Sequence, residues 1–203
     1  GVPDPGECAG SGGATLNALL CVAEELASRA GLSTLSAEPL RSARLLMLHV
    51  GSSARGGAAH PTLPQALAPL PVAAAEEGCV SGVLWTLRAA SRLFAAMPPG
   101  LVVASTDSLL LLPPPAGWID FTDGAGAPAA GLVVAVPAPV ALAASHGVCV
   151  PGGNGGAQLG RIAYRAGAEK LMQMADDGAV PVYTGLLWLS ARAATALLEL
   201  HAR

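Results

Sequence analysis

The sequence predicts an α/β fold: a mostly parallel sheet with helices on both faces. Three observations carry that expectation. Runs such as Leu45–Val50 (LLMLHV) and Leu101–Ala104 are continuously apolar, not alternating, as strands buried on both faces are. Segments with helical periodicity stand between these runs. At 203 residues the chain is also long enough for one sizeable core, burying roughly 70% of its unfolded surface.

Taken in order, the first helix is expected over about Thr15–Ala30, where Leu16, Leu19, Leu20 and Ala23 recur at helical spacing. A short loop and Pro39–Arg44 lead to Leu45–Val50, the first buried strand. Gly51–Pro71 is rich in glycine, proline, serine and alanine and is expected to be irregular. Val83, Leu84, Leu87, Leu93 and Phe94 predict a helix over Val80–Ala96. Leu101–Ala104 is the second strand and ends at Ser105-Thr106-Asp107. Leu109–Leu112 continues extended until Pro113-Pro114-Pro115 stops it. Leu132–Val136, Val148–Val150 and Leu159–Tyr164 read as further strands. Ala168–Ala175 is a short helix, Val180–Leu189 a strand and Ala191–Ala202 a closing helix. In such sheets ligands gather beyond the carboxyl ends of strands, where Gly51 and Asp107 fall.

Composition excludes several classes. The net charge is −3 and Lys170 is the one lysine, which argues against a nucleic-acid or anionic-membrane surface. The 25 glycines and 17 prolines follow no period, so the chain is not collagen-like. Cys8, Cys21, Cys79 and Cys149 are far apart, without a C-x-x-C pair. They read as reduced core thiols of an intracellular, cytoplasmic protein, not as a disulfide frame or zinc site. No basic region with a following apolar core opens the chain, so no signal peptide is expected. The longest apolar region, Leu132–Val150, is broken by Pro137, Pro139 and His146 and reads as strand, turn and strand, not a membrane span.

The stretch with the most chemistry is Gly10–Leu26, GSGGATLNALLCVAEEL. Gly10, Gly12 and Gly13 allow backbone amides to turn toward a ligand without a Cβ in the way. The helix start adds unpaired N–H groups and a positive dipole end, a combination suited to phosphate. It is neither the dinucleotide fingerprint nor the nucleotide P-loop, and from spacing alone such a loop is more often only a turn and helix cap. Arg55 in its polar loop is either solvated or an anion ligand, and Asp107 after Ser-Thr is either a turn residue or a metal ligand. His146 before glycine reads as a strand-end histidine, His49 as a core-edge residue and His60 as a loop residue. Asp176-Asp177 before Gly178 is a solvated turn, and Lys170 is a surface residue.

These residues, with four more segments in the same order, resemble the N-terminal domain of the L-fucokinase/GDP-fucose pyrophosphorylase family. GSGGATLNALL is close to a family signature. LLMLHVGSSAR followed by LPQALAPLP resembles the strand, G-x-S-x-R loop and G-K-x-F-x-P-L-P of the family. VVASTDSLLLLP, PAPVALAASHGVCV and VPVYTGLLWLS resemble three later segments, and together the matches cover roughly residues 4–200. The resemblance implies a Rossmann-like, sugar-nucleotidyltransferase-like fold, here truncated: one incomplete domain over residues 1–203 without the family's kinase domain, which would be a linked partner outside this chain.

It also implies nucleotidyl transfer, in which a sugar 1-phosphate oxygen attacks the α-phosphorus of GTP and pyrophosphate leaves, with Mg²⁺ as cofactor. On that likeness Gly10, Ser11, Gly12, Gly13, Ala14 and Thr15 would approach the nucleotide, joined by Gly51 and Ser52 of the second loop. Arg55 would hold triphosphate oxygens, where a fork of donors suits phosphate, and Asp107 would be a Mg²⁺ ligand. His146, Gly147, Thr184 and Gly185 would line the sugar side, and Arg165 falls where relatives often carry a lysine near the sugar phosphate. The chain departs from the family where Gln65 replaces the lysine of the G-K motif and Glu7-Cys8 replaces a basic position. Three function classes stand: a domain that binds GTP and fucose 1-phosphate in GDP-fucose salvage, or a catalytically degenerate domain with a structural or regulatory role beside a fucokinase domain. A plain anion-binding α/β module is the third.

Overall fold

The computed structural model describes residues 1–2, 10–50, 56–57, 60–70, 80–94, 97–106, 108–109, 111, 119–123, 125–152 and 158–201; of 56–57, 60–65, 92–94 and 201 it describes the backbone alone. The chain forms two compact units, Gly1–Trp118 with Trp188–Arg203, and Ile119–Leu187.

In the first unit, helix α1 (Gly10–Arg29) precedes a 3₁₀ turn (Glu38–Arg41) and strand β1 (Arg44–His49). Two short antiparallel strands, β2 (Gly56–Gly57) and β3 (His60–Pro64), lead to a second 3₁₀ turn (Gln65–Leu67), helix α2 (Gly82–Phe94) and strand β4 (Gly100–Ser105). Each long helix buries one stripe. Leu19, Ala23 and Ala27 follow one another at four-residue spacing on α1, as Thr86 and Ala90 do on α2. Strand β4 is buried from Gly100 to Ala104 because its apolar run faces packed side chains on both sides. It pairs in parallel with β1, from Arg44↔Gly100 to His49↔Ser105. Helix α5 (Ala191–His201) closes the unit against α1, β4 and the first 3₁₀ turn, burying Ala194 and Leu198.

The second unit holds β5 (Gly131–Pro139), the one-turn helix α3 (Val140–Ala143), β6 (Gly147–Gly152), β7 (Gln158–Tyr164) and the short helix α4 (Ala168–Met174). The long strand β8 (Ala179–Ser190) runs through it and carries the chain back to the first unit. Val140, Ala143, Val148, Leu171, Val180 and Val182 form its core. Strands β6 and β7 are antiparallel, and so are β6 and β8, with Val148 opposite Val182. A two-residue turn opens β8: Asp176 and Ala179 exchange backbone hydrogen bonds of 2.9 and 3.0 Å, with Asp177 and Gly178 both at positive φ (49° and 73°). The solvated-turn reading of Asp176-Asp177 holds.

The α/β class is therefore found, but the sheet is mixed and mostly antiparallel, not mostly parallel. Connection length explains the difference. Parallel neighbours need a crossover of a dozen or more residues. Residues 153–157 alone separate β6 from β7, its antiparallel neighbour. That link can only turn back.

Candidate functional site

In the first unit the carboxyl ends of β1 and β4 lie side by side and are joined by hydrogen bonds. His49 ends β1. Its carbonyl oxygen accepts from the Thr106 amide and from the Thr106 hydroxyl, each at 3.1 Å. Its ring Nε2 lies 2.9 Å from the Thr15 hydroxyl oxygen on α1, and that hydroxyl donates to the Ser11 carbonyl at 2.8 Å. One residue thus joins the start of α1 to the end of β4.

The glycine-rich stretch was expected as a loop ahead of a helix beginning near Thr15. Instead Gly10–Ala14 form the first turn of α1 itself, with Gly10 at φ +64°. The Thr15 hydroxyl on the Ser11 carbonyl closes that turn, so the helix begins one turn earlier than the pattern of leucines suggests. The first four N–H groups of a helix have no partner within it. Gly10, Ser11 and Gly12 are exposed, and no acidic residue of this first turn compensates the positive dipole end. Of the residues expected at the nucleotide, Gly10–Thr15 lie in this turn and the residue after it.

A second helix start reaches the same strand ends. Ser81 caps α2, its hydroxyl accepting the Leu84 amide at 3.3 Å. At Gly82 a Cβ would stand 3.3 Å from the carbonyl oxygens of Thr106 and Ala66, so only glycine permits this approach without a shift. His49, Thr106 and Gly82 are the residues that reading the sequence did not single out. The available signal was position: each lies at the end of a predicted buried strand or the start of a predicted helix. Gly51, Ser52, Arg55 and Asp107 lie outside the described residues, as do Cys8 and Cys79. A cavity of about 270 Å³ beside α1 and β1 is lined by Val2, Ala18, Leu19, Val22 and Leu45–Leu48. It is apolar and suits no phosphate.

The second unit holds the other expected group. His146 is exposed in the turn after α3, its amide bonded to the Ala143 carbonyl at 3.0 Å. Gly147 begins β6 opposite Tyr164 and is buried. A Cβ there would meet Ile162 Cγ2 and Tyr164 Cε1 at 3.0 Å. Arg165 follows Tyr164, exposed and at φ +50°, so His146, Gly147 and Arg165 share one end of the β6/β7 ladder. Thr184 stands apart in use. Its hydroxyl donates to the Val134 carbonyl at 2.8 Å and accepts the Leu186 amide at 3.3 Å, spanning Gly185 at φ +85°.

Burial pushes the Tyr183 phenol above its usual range, with smaller contributions from Tyr164 and Cys149. Burial alone pushes the Cys149 thiol up. Cys21 and Cys149 are free thiols, and the described residues contain no group of three or more His, Cys, Asp or Glu able to hold a metal ion. No described helix is long and apolar enough to cross a membrane.

The fold and this arrangement define an α/β protein whose exposed glycine-rich helix start stands at the carboxyl ends of two parallel strands, the place where such folds hold phosphate-bearing ligands. The chain belongs to the fucose pyrophosphorylase domain family, whose model matches residues 37–203. That match begins just before the first 3₁₀ turn and includes β1, β4 and everything after them, while α1 precedes it. No curated protein and no solved structure matches the chain.

Proposed function

We propose that this domain binds GTP and a sugar 1-phosphate, fucose 1-phosphate by its family, and serves nucleotidyl transfer in GDP-fucose salvage. The observation that carries the reading is the Thr15–His49–Thr106 chain of hydrogen bonds, which sets the open start of α1 beside the ends of β1 and β4. The first N–H groups of α1, at Gly10–Gly13, would supply donors for triphosphate oxygens, and Arg55, in the segment after β1, would add a guanidinium fork. On the sugar side Arg165 would face the sugar phosphate and His146 the sugar, while Thr184 and Gly185 shape β8 through the backbone.

Mg²⁺ fits the donor chemistry here. Such sites use one or two carboxylates together with substrate phosphates. Asp107 directly follows Thr106, whose own hydroxyl is committed to His49. Asp107 would hold the ion, and the ion when bound supplies charge neutralisation on the triphosphate. The residues of the chain orient the sugar phosphate for attack on the α-phosphorus and hold the leaving pyrophosphate. The test is calorimetry with GTP and Mg²⁺, followed by pyrophosphate release on adding fucose 1-phosphate. Binding that weakens in Asp107→Ala is expected; no heat with either protein rejects the reading.

A specific observation favours a second reading, a degenerate domain that binds or docks without turnover. At the ends of β1 and β4, His49 is the one titratable side chain among the described residues, and Gln65 begins a 3₁₀ turn where relatives carry lysine. Losing one preorganised donor to transition-state charge costs roughly 3–4 kcal/mol, about 10²–10³ in rate. Measurable pyrophosphate release rejects this second reading.

A further inference from the structure

We infer that His49 is a positioning residue: its ring holds the Ser11–Thr15 turn in the shape that presents the first amides of α1. The ligand is taken from the reading above; the tether itself is not.

The hydrogen bonds define the protonation of the ring. The Thr15 hydroxyl has one proton and two close partners, the Ser11 carbonyl at 2.8 Å and His49 Nε2 at 2.9 Å. A carbonyl can only accept. Were the proton directed at His49, two oxygens would face each other at 2.8 Å with nothing between them. Both contacts are attractive in one arrangement alone: Nε2–H of His49 donates to Thr15, and Thr15 donates to Ser11. His49 is therefore the donor, through Nε2–H.

The tether matters because of what surrounds it. Glycine within a helix costs roughly 1 kcal/mol each relative to alanine, and three of the first four residues of α1 are glycine. Such a turn does not hold its own shape. Thr15 anchors it at the first residue that carries a hydroxyl toward the sheet, and His49 in turn is fixed by two bonds from Thr106 to its carbonyl. Glycine supplies bare amides; the histidine supplies the order that glycine lacks.

The experiment compares Thr15→Val, His49→Phe, the double variant and His49→Gln, whose amide nitrogen can stand where Nε2 stood. GTP affinity with Mg²⁺ is expected to fall about tenfold in each single variant, about 1.4 kcal/mol. The double variant should be no weaker than the singles, because both remove one link. His49→Gln should recover most of the loss, with melting temperatures of Thr15→Val and His49→Gln close to the parent. Single-variant losses that multiply in the double variant, or affinity that merely tracks stability, overturn the inference. Should the parent chain bind no GTP, the function proposed above fails and the tether is judged without ligand. Ring ¹⁵N shifts should then show a protonated Nε2, and amide exchange at positions 14 and 15 should quicken at least tenfold in Thr15→Val. An unprotonated Nε2, or unchanged exchange, overturns it.

Discussion

Arg165 can be tested so that its backbone and its charge give separate answers. It is exposed, yet it sits at φ +50°, a left-handed conformation that costs an L-residue other than glycine roughly 1–2 kcal/mol. Arg165→Ala keeps that cost and removes the guanidinium. Arg165→Gly removes both, and loses about 0.4–1 kcal/mol through the greater freedom of the unfolded chain. The glycine variant should therefore be the more stable of the two by about 0.5–1 kcal/mol. At roughly 2–4 °C per kcal/mol for a chain this long, it should melt about 1–4 °C higher, read by differential scanning calorimetry. For fucose 1-phosphate both variants should weaken alike, by about 1.5–3 kcal/mol for a lost charge-assisted hydrogen bond, roughly ten- to a hundredfold by titration. Equal stabilities, or an alanine variant that melts higher, would refute the backbone argument. Undiminished affinity would refute the contact with phosphate. The two failures are independent.

Two further outcomes follow from packing and burial. Gly100→Ala should destabilise the first unit by about 3 kcal/mol, at the upper end of what overpacking costs. Its Cβ would collide with the backbone carbonyl of Leu189 and stand 2.6 Å from Trp188 Nε1; a urea midpoint equal to the parent's would contradict this. Stability should also fall on the alkaline side. Tyr183 and Cys149 are both raised by burial, so the unfolded chain loses these protons first and folding becomes less favourable as pH climbs through the raised values. The contribution is complete below about pH 8.5, the ordinary thiol value. A urea midpoint that stays level from pH 8 to 11, or a fall left unchanged by Tyr183→Phe, would contradict the assignment.

Most elements were legible because their signal is local. The continuous apolar runs at 45–50 and 101–104 are strands within a residue or two, and the leucine spacing of 80–96 and 191–202 marks helices α2 and α5. Strand direction was not legible in the same way. It depends on what each connection can span, and the residues 153–157 between β6 and β7 cannot carry the chain over a sheet to a parallel neighbour. The start of α1 was misplaced for a different reason. Three glycines weigh against helix by propensity, yet α1 runs through them to Gly10.

The candidate site divides along the same line. A site that grips phosphate through backbone amides leaves its mark as glycine, and glycine in a short segment is visible without any fold. What makes those amides usable is order, and here order comes from contacts that no local pattern records. His49 meets Thr15 across 34 positions, and Thr106 meets His49 across 57. In the sequence His49 is only a polar residue closing an apolar strand. Its meaning arises when parallel pairing brings it level with Ser105, one residue before Thr106, and sets the hydroxyl of α1 against its ring. The family match covers His49 and Thr106 but not α1. On the function proposed above, a substitution at His49 should weaken GTP binding by calorimetry although His49 lies 34 positions from Thr15 in the sequence.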